Sequence, residues 1–82
     1  MPTSRSKLAR LRPHTYREIR RKLTSAGFQE VRQRGSHVKF MRITNDGTRV
    51  AIVPRHSSDI PLGTLRSILN QAGLTPEQFD HL

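Results

Sequence analysis

FQEVRQRGSHVKFMRITNDGTRVAIVP, residues 28–54, decides the fold. Two turn signals cut it into three short extended segments. Phe28 to Gln33 reads as a first strand, anchored by Phe28 and Val31. Arg34-Gly35-Ser36 breaks it. His37 to Ile43 reads as a second strand, with Val38 and Phe40 on one face and His37, Lys39, Met41 and Ile43 on the other, because successive side chains of a strand point to opposite sides. Asn45-Asp46-Gly47 supplies residue types that accept positive φ, as a tight hairpin requires. Thr48 to Val53 is the third strand, with Val50 and Ile52 alternating, and Pro54 ends it.

Helical patterns flank this block. Thr15 and Glu18 stand at capping-box spacing, where each side chain satisfies a backbone donor at the other position. Tyr16, Ile19, Leu23 and Ala26 then recur at intervals of three and four, so they line one helical face, and Gly27 suits a left-handed C-terminal cap. After the polar loop Arg55–Ile60, Pro61 opens a second helix with an apolar stripe of Leu62, Leu65, Ile68, Leu69 and Ala72, capped by Gly73. Thr75-Pro76-Glu77-Gln78 starts a last short helix ending near His81. The order is α-β-β-β-α plus a terminal helical turn. Short strand connections imply an antiparallel three-stranded sheet. Two amphipathic helices can cover only one of its faces. The expected class is an α+β two-layer sandwich with one open sheet face.

The chain has 82 residues, enough for one small domain. Residues 1–14 read as a basic flexible tail, with Arg5, Lys7, Arg10 and Arg12 among small and polar residues; residues 15–82 form the domain. The absence of cysteine excludes disulfides, thiolate metal cages and cysteine nucleophiles. No apolar run is long enough for a membrane span and no apolar signal core follows the N-terminus, so the expected compartment is the cytoplasm. The net charge is +9, and it is uneven. Residues 1–42 carry 12 basic and 2 acidic side chains, residues 43–82 carry 3 and 4. Such a field favours a polyanion or an acidic protein partner.

Three motifs, in order, resemble the HicA toxins: Leu23-Thr24-Ser25-Ala26-Gly27-Phe28; Arg32-Gln33-Arg34-Gly35-Ser36-His37 with the alternating strand after it; and Val53-Pro54-Arg55-His56 followed by Ile60 to Leu74. The resemblance covers residues 15–82. It implies a fold like the double-stranded-RNA-binding domain. It also implies a toxin of a type II toxin–antitoxin module that cleaves mRNA, arrests translation, and is silenced in a hetero-oligomer by a HicB-type antitoxin. The family's essential histidine matches His37. Arg55 occupies a position where smaller residues are commoner in the family, and the tail of residues 1–14 is longer than the usual family N-terminus.

Metal-free RNA cleavage needs a base for the 2′-hydroxyl, an acid for the departing 5′ oxygen and a cation near the phosphorane. Histidine suits the proton transfers because its ordinary pKa, about 6.5, lies near working pH. His37 follows a Gly-Ser turn at the start of a strand, which places its ring at an exposed rim; the plain alternative is a surface strand histidine. Lys39, on the same face, pairs with a phosphate or is merely solvated. Ser36 and the Gly35 amide are candidate phosphate donors beside Arg34, although a tight turn alone accounts for glycine. His56 is either an auxiliary acid or an ordinary loop histidine. Gly63 and Thr64 lie in the first turn of the second helix, where free amides attract phosphate or where close packing wants a small residue. Arg17, Arg20, Arg21 and Lys22 form a track for RNA phosphates or a solvated helix face.

No cofactor and no metal is expected, since no metal-ligand spacing is present. Tyr16 and the three phenylalanines occupy core-like positions, so contacts to backbone and charge should outweigh base stacking. The competing reading is a non-catalytic module that holds double-stranded RNA without cutting it. A histidine after Gly-Ser distinguishes the two, because passive binding has no need of it.

Overall fold

The computed structural model describes residues 11–82. Its first helix, α1 (Tyr16–Ser25), opens with the reciprocal cap: the Thr15 amide donates to Glu18 Oε1 at 2.9 Å and the Glu18 amide to Thr15 Oγ1 at 3.1 Å. Ile19 and Leu23 are buried. Gly27 turns the chain out of the helix at φ +97°, a conformation open to glycine. Arg42 closes the same end, with Nη1 donating to the Ala26 carbonyl at 2.9 Å and the guanidinium over the Phe28 ring.

Three antiparallel strands follow in spatial order β1 (Gln29–Arg34), β2 (His37–Thr44), β3 (Gly47–Pro54). Arg34 pairs with His37 across the two-residue turn Gly35-Ser36. Gly35 has φ +58° and Ser36 does not, the pattern of a type II′ hairpin. At the second hairpin Thr44 pairs with Gly47, and Gly47 alone of Asn45-Asp46-Gly47 takes positive φ. Val38, Phe40, Ala51 and Val53 point inward and are fully buried. They pack beneath α1 and α2 (Leu62–Ala72), whose Leu65, Ile68, Leu69 and Ala72 complete the layer. The last helix, α3 (Pro76–Asp80), repeats the reciprocal cap through Thr75 and Gln78 and buries Phe79. The α+β sandwich read from the sequence is therefore the fold.

Three strand readings change. Val31 does not anchor a core: it is 47% exposed on the open face, where a bulge between Glu30 and Arg32 inserts it. Phe28 is buried, but just ahead of the strand. In β3 the inward pair is Ala51 and Val53; Val50 and Ile52 face outward. The run Val50-Ala51-Ile52-Val53 is apolar at every position, so alternation could not choose its buried side. Pro61 is the residue before α2, with extended backbone, and not its first turn.

Among the described residues, two polar residues are buried. Lys22 is 8% exposed, its Nζ donates to the Phe79 carbonyl at 3.0 Å, and it lies 4.8 Å from the Phe79 ring centre. It holds α1 to α3, so the phosphate track loses this member. The cause is helical geometry: Lys22 adjoins Leu23 and follows Ile19 by three, which puts it on the edge of the buried stripe. His14 is 5% exposed, edge-on to Phe79 at 5.2 Å between centroids, and its carbonyl accepts from the Ile60 amide at 2.7 Å. Leu11 also packs against the core. The final part of the segment read as tail is thus structured; residues 1–10, with Arg5, Lys7 and Arg10, lie outside the described residues.

Removing the cap by Thr15→Ala is expected to cost about 1 kcal/mol in urea unfolding. The Thr15 backbone hydrogen bond, aided by Arg12, holds the Glu18 carboxyl below its ordinary value of 4.5. A depressed carboxylate contributes stability above its unfolded pKa, so this share should vanish as pH falls through the lowered value. Lys22→Ala should cost about 1.5–3 kcal/mol by removing a charged hydrogen bond. Arg21→Ala, on the exposed side of the same helix, should stay within about 0.5 kcal/mol. Equal destabilisation by the two would return Lys22 to the surface.

Candidate nucleic-acid interface

The open sheet face is built by register. His37, Lys39, Met41 and Ile43 project from β2; Arg34 stands across from His37 and Arg32 across from Lys39. Opposed residues of an antiparallel pair share a face, so these side chains converge. Arg32, Arg34, His37, Lys39 and Ile52 line a shallow depression of about 190 Å³. His37 is exposed, and among the described residues its ring has no hydrogen-bond partner. Farther along the same face lie Val31, Met41, Ile43, Val50 and Ile52. Ile43 is 74% exposed and Ile52 37%, so the basic end of the sheet runs into an apolar strip.

The turn that carries His37 is stitched to the loop after β3. The Arg55 amide donates to the Ser36 carbonyl at 2.6 Å. Arg55 Nη1 donates to Gln33 Oε1 at 3.2 Å, and Gln33 Nε2 donates to the Gly35 carbonyl at 3.1 Å. Beyond the sheet end, Thr15, Tyr16, Arg17, Arg20, Arg55, His56 and Ser57 line a second cleft of about 380 Å³.

The expected site residues separate accordingly. His37, Lys39 and Arg34 share the first depression, with Gly35 and Ser36 in its turn. Arg17, Arg20 and His56 line the second cleft, so His56 and His37 occupy different hollows. Arg20 also meets Glu30 at 3.5 Å, an exposed pair worth little to stability. Arg21 is exposed and lines neither hollow. Gly63 and Thr64 fall in the first turn of α2, whose preceding Pro61 offers no side-chain cap. A Cβ at Gly63 would meet nothing within 4 Å, so packing does not demand glycine there. A Cβ at Gly35 would also be unobstructed, but its positive φ accounts for the glycine. Among the described residues, no three His, Cys, Asp or Glu side chains gather where a metal ion could be held. No helix among them is long and apolar enough to cross a membrane.

A family model described as the HicA toxin of bacterial toxin–antitoxin systems matches residues 16–74, more than two thirds of the chain. The chain belongs to the HicA toxin family. It is accordingly a toxin-type member of a toxin–antitoxin system. No curated protein matches the toxin closely enough to add a relative.

Two residues of the toxin's basic surface escaped the sequence reading as site candidates. Arg32 carried a signal, because it lies two residues from Arg34 and so shares its face. Arg55 carried none: its place depends on where β3 ends relative to Tyr16, whose ring centre lies 5.5 Å from the guanidinium. Burial, with the Glu30 charge, raises the Tyr16 hydroxyl above its ordinary 10.0, while Arg55 and Arg20 oppose the rise. Tyr16 is the sole tyrosine and tryptophan is absent, so ultraviolet titration reads this group alone. Its midpoint should lie above 10.0 and move higher still in Arg55→Ala, because a nearby cation favours the phenolate. A midpoint that stays put would detach Arg55 from the ring.

Proposed function

We propose that this toxin is a metal-independent endoribonuclease that cleaves mRNA with His37 and thereby inhibits translation. One observation carries the reading: an exposed imidazole at a sheet rim, lining one depression with Arg32, Arg34 and Lys39. Neutral His37 accepts the proton of a ribose 2′-hydroxyl. The freed oxygen attacks the adjacent phosphorus, and the bond to the 5′ oxygen breaks as that oxygen takes up a proton. Arg32, Arg34 and Lys39 balance the charge gathering on the phosphorane oxygens, where a fixed cation acts without reorganising. Ser36 and the Gly35 amide supply further hydrogen bonds to phosphate, as do the first-turn amides of α2 at Gly63 and Thr64. Arg17 and Arg20 extend the phosphate contacts away from the cleaved bond, with Arg21 on the same helix as a peripheral charge. His56 serves as an auxiliary group for RNA.

The natural inhibitor is a HicB-type antitoxin forming a hetero-oligomer with the toxin. The apolar strip of Val31, Ile43 and Ile52 beside His37 supports its seat on the open sheet face, where an acidic partner would meet the neighbouring cations and exclude RNA.

Expression of the wild-type toxin without its antitoxin should arrest growth and fragment mRNA. His37→Ala should abolish both, with cleavage down by about 10²–10⁴-fold, the usual worth of a positioned acid–base group. Its fold should persist, since an exposed ring is removed. Cleavage that survives in His37→Ala removes the residue from the mechanism. Cleavage stopped by a chelator rejects metal independence. RNA binding without any cleavage by the wild type leaves the passive double-stranded-RNA holder.

A further inference from the structure

The cleft beyond the His37 end of the sheet has the chemistry of a phosphate site. Two ion pairs join described residues, Arg12 with Glu18 and Arg20 with Glu30. Neither uses Arg17 or Arg55; Glu30 pairs with Arg20 and acts on Tyr16 from outside the cleft, and among the described residues no carboxylate lines it. Arg55 is held in place on two sides, by the Tyr16 ring at 5.5 Å and by Gln33 Oε1 at 3.2 Å. A guanidinium is planar with five N–H donors, and among the described residues one side-chain hydrogen bond occupies Arg55, so donors remain for two oxygens of a phosphate. A braced guanidinium gives up little conformational freedom on binding.

Position links this cleft to His37. Pro54 is the register partner of His37, and Arg55 is the next residue. Side chains alternate along a strand, so Pro54 shares the open face with His37 while Arg55 turns to the helical side, over Tyr16. The Arg55–Ser36 backbone bond fixes the two hollows relative to each other. A chain of phosphates rounding the end of the sheet would meet the His37 depression first and Arg55 next. A protein partner suits the cleft less well, because the exposed apolar strip runs along the open sheet face and Arg17, Arg55 and His56 are exposed polar groups.

We infer that Arg55, braced on Tyr16 with Arg17 beside it, is a second phosphate-binding site that holds the same RNA strand next to the bond cleaved at His37. This rests on the proposed ribonuclease reading and names how the substrate strand is positioned. Arg55 is a positioning residue: it grips a phosphate that does not react.

The test uses full-length protein carrying His37→Ala, so that RNA is bound and not consumed, and a short fluorescein-labelled single-stranded RNA. Binding is followed by anisotropy across a salt series. Neutralising one fewer phosphate should reduce the slope of log affinity against log salt by about 0.7. Arg55→Ala is expected to show that reduction and Arg55→Lys to recover the slope with weaker affinity. Arg17→Ala, which removes an exposed side chain, guards against a folding defect and should also lower the slope. Circular dichroism confirms the fold of each variant. In the His37-intact protein, Arg55→Ala should raise KM for the oligonucleotide by a larger factor than it lowers cleavage of a dinucleoside monophosphate, since that substrate has only the scissile phosphate.

Parental slopes in both Arg55→Ala and Arg17→Ala would overturn the second site and leave cleavage by His37 standing. An unchanged RNA slope with weakened antitoxin binding would overturn it in favour of a protein contact. Should the His37→Ala protein still cut RNA, the ribonuclease assignment to His37 fails, and the slopes still decide whether Arg55 holds a phosphate.

Discussion

The sheet must bury Val38 and Phe40 of β2 and Ala51 and Val53 of β3 on one side, and the helices among the described residues cover only that side. Everything else on the sheet follows from this one-sided burial. Alternation sends His37, Lys39 and Ile43 to the uncovered face as surely as it sends Val38 and Phe40 inward. The two hairpins then fix which side chains stand opposite one another. A one-residue slip between β2 and β3 would set Val38 and Phe40 against the outward side of β3, so the core enforces that register; β1, exposed along its length, is set against β2 by the Gly35-Ser36 turn, which brings Arg32 and Arg34 beside His37 and Lys39.

The large positive charge divides into structural and available parts. Lys22 and Arg42 are committed inside the fold, one joining α1 to α3 and the other closing the end of α1. Arg12 and Arg20 are matched by glutamates. Arg32, Arg34 and Lys39 remain on the open face, and Arg17 and Arg55 remain at its end. The apolar strip beside the first group gives the same face a second chemistry. On the proposed reading one surface serves both RNA and inhibitor, because charge attracts either partner and apolar area adds affinity for a protein alone.

The sequence was most legible where a signal is short. Both Thr-x-x-Glu/Gln caps formed as read, because the two hydrogen bonds of each cap lie within four residues. The break at Gly35 formed for the same reason: its positive φ is a property of one residue. The buried side of β3 was not legible, since Val50 through Val53 offers two equivalent apolar faces and only the helices above choose one. Val31 was misplaced by a bulge, which changes the phase of a strand without a distinctive residue to announce it. His37 and Lys39 could be assigned to one face from alternation, but their approach to Arg32 and Ile52 required the cross-strand register.

Helix caps, the tight turn before His37, the class of the fold and its surplus of positive charge were all written in neighbouring residues, whose interactions act over a few bonds of chain. The fate of individual charges was not. Lys22 and Arg21 are adjacent and both basic, yet one binds the carbonyl of Phe79, 57 residues away, and the other faces water. Arg55 and Tyr16 meet only because β3 ends at the edge where α1 begins. Those outcomes depend on which elements pack together, and packing sums interactions between segments that have no signal in common along the chain.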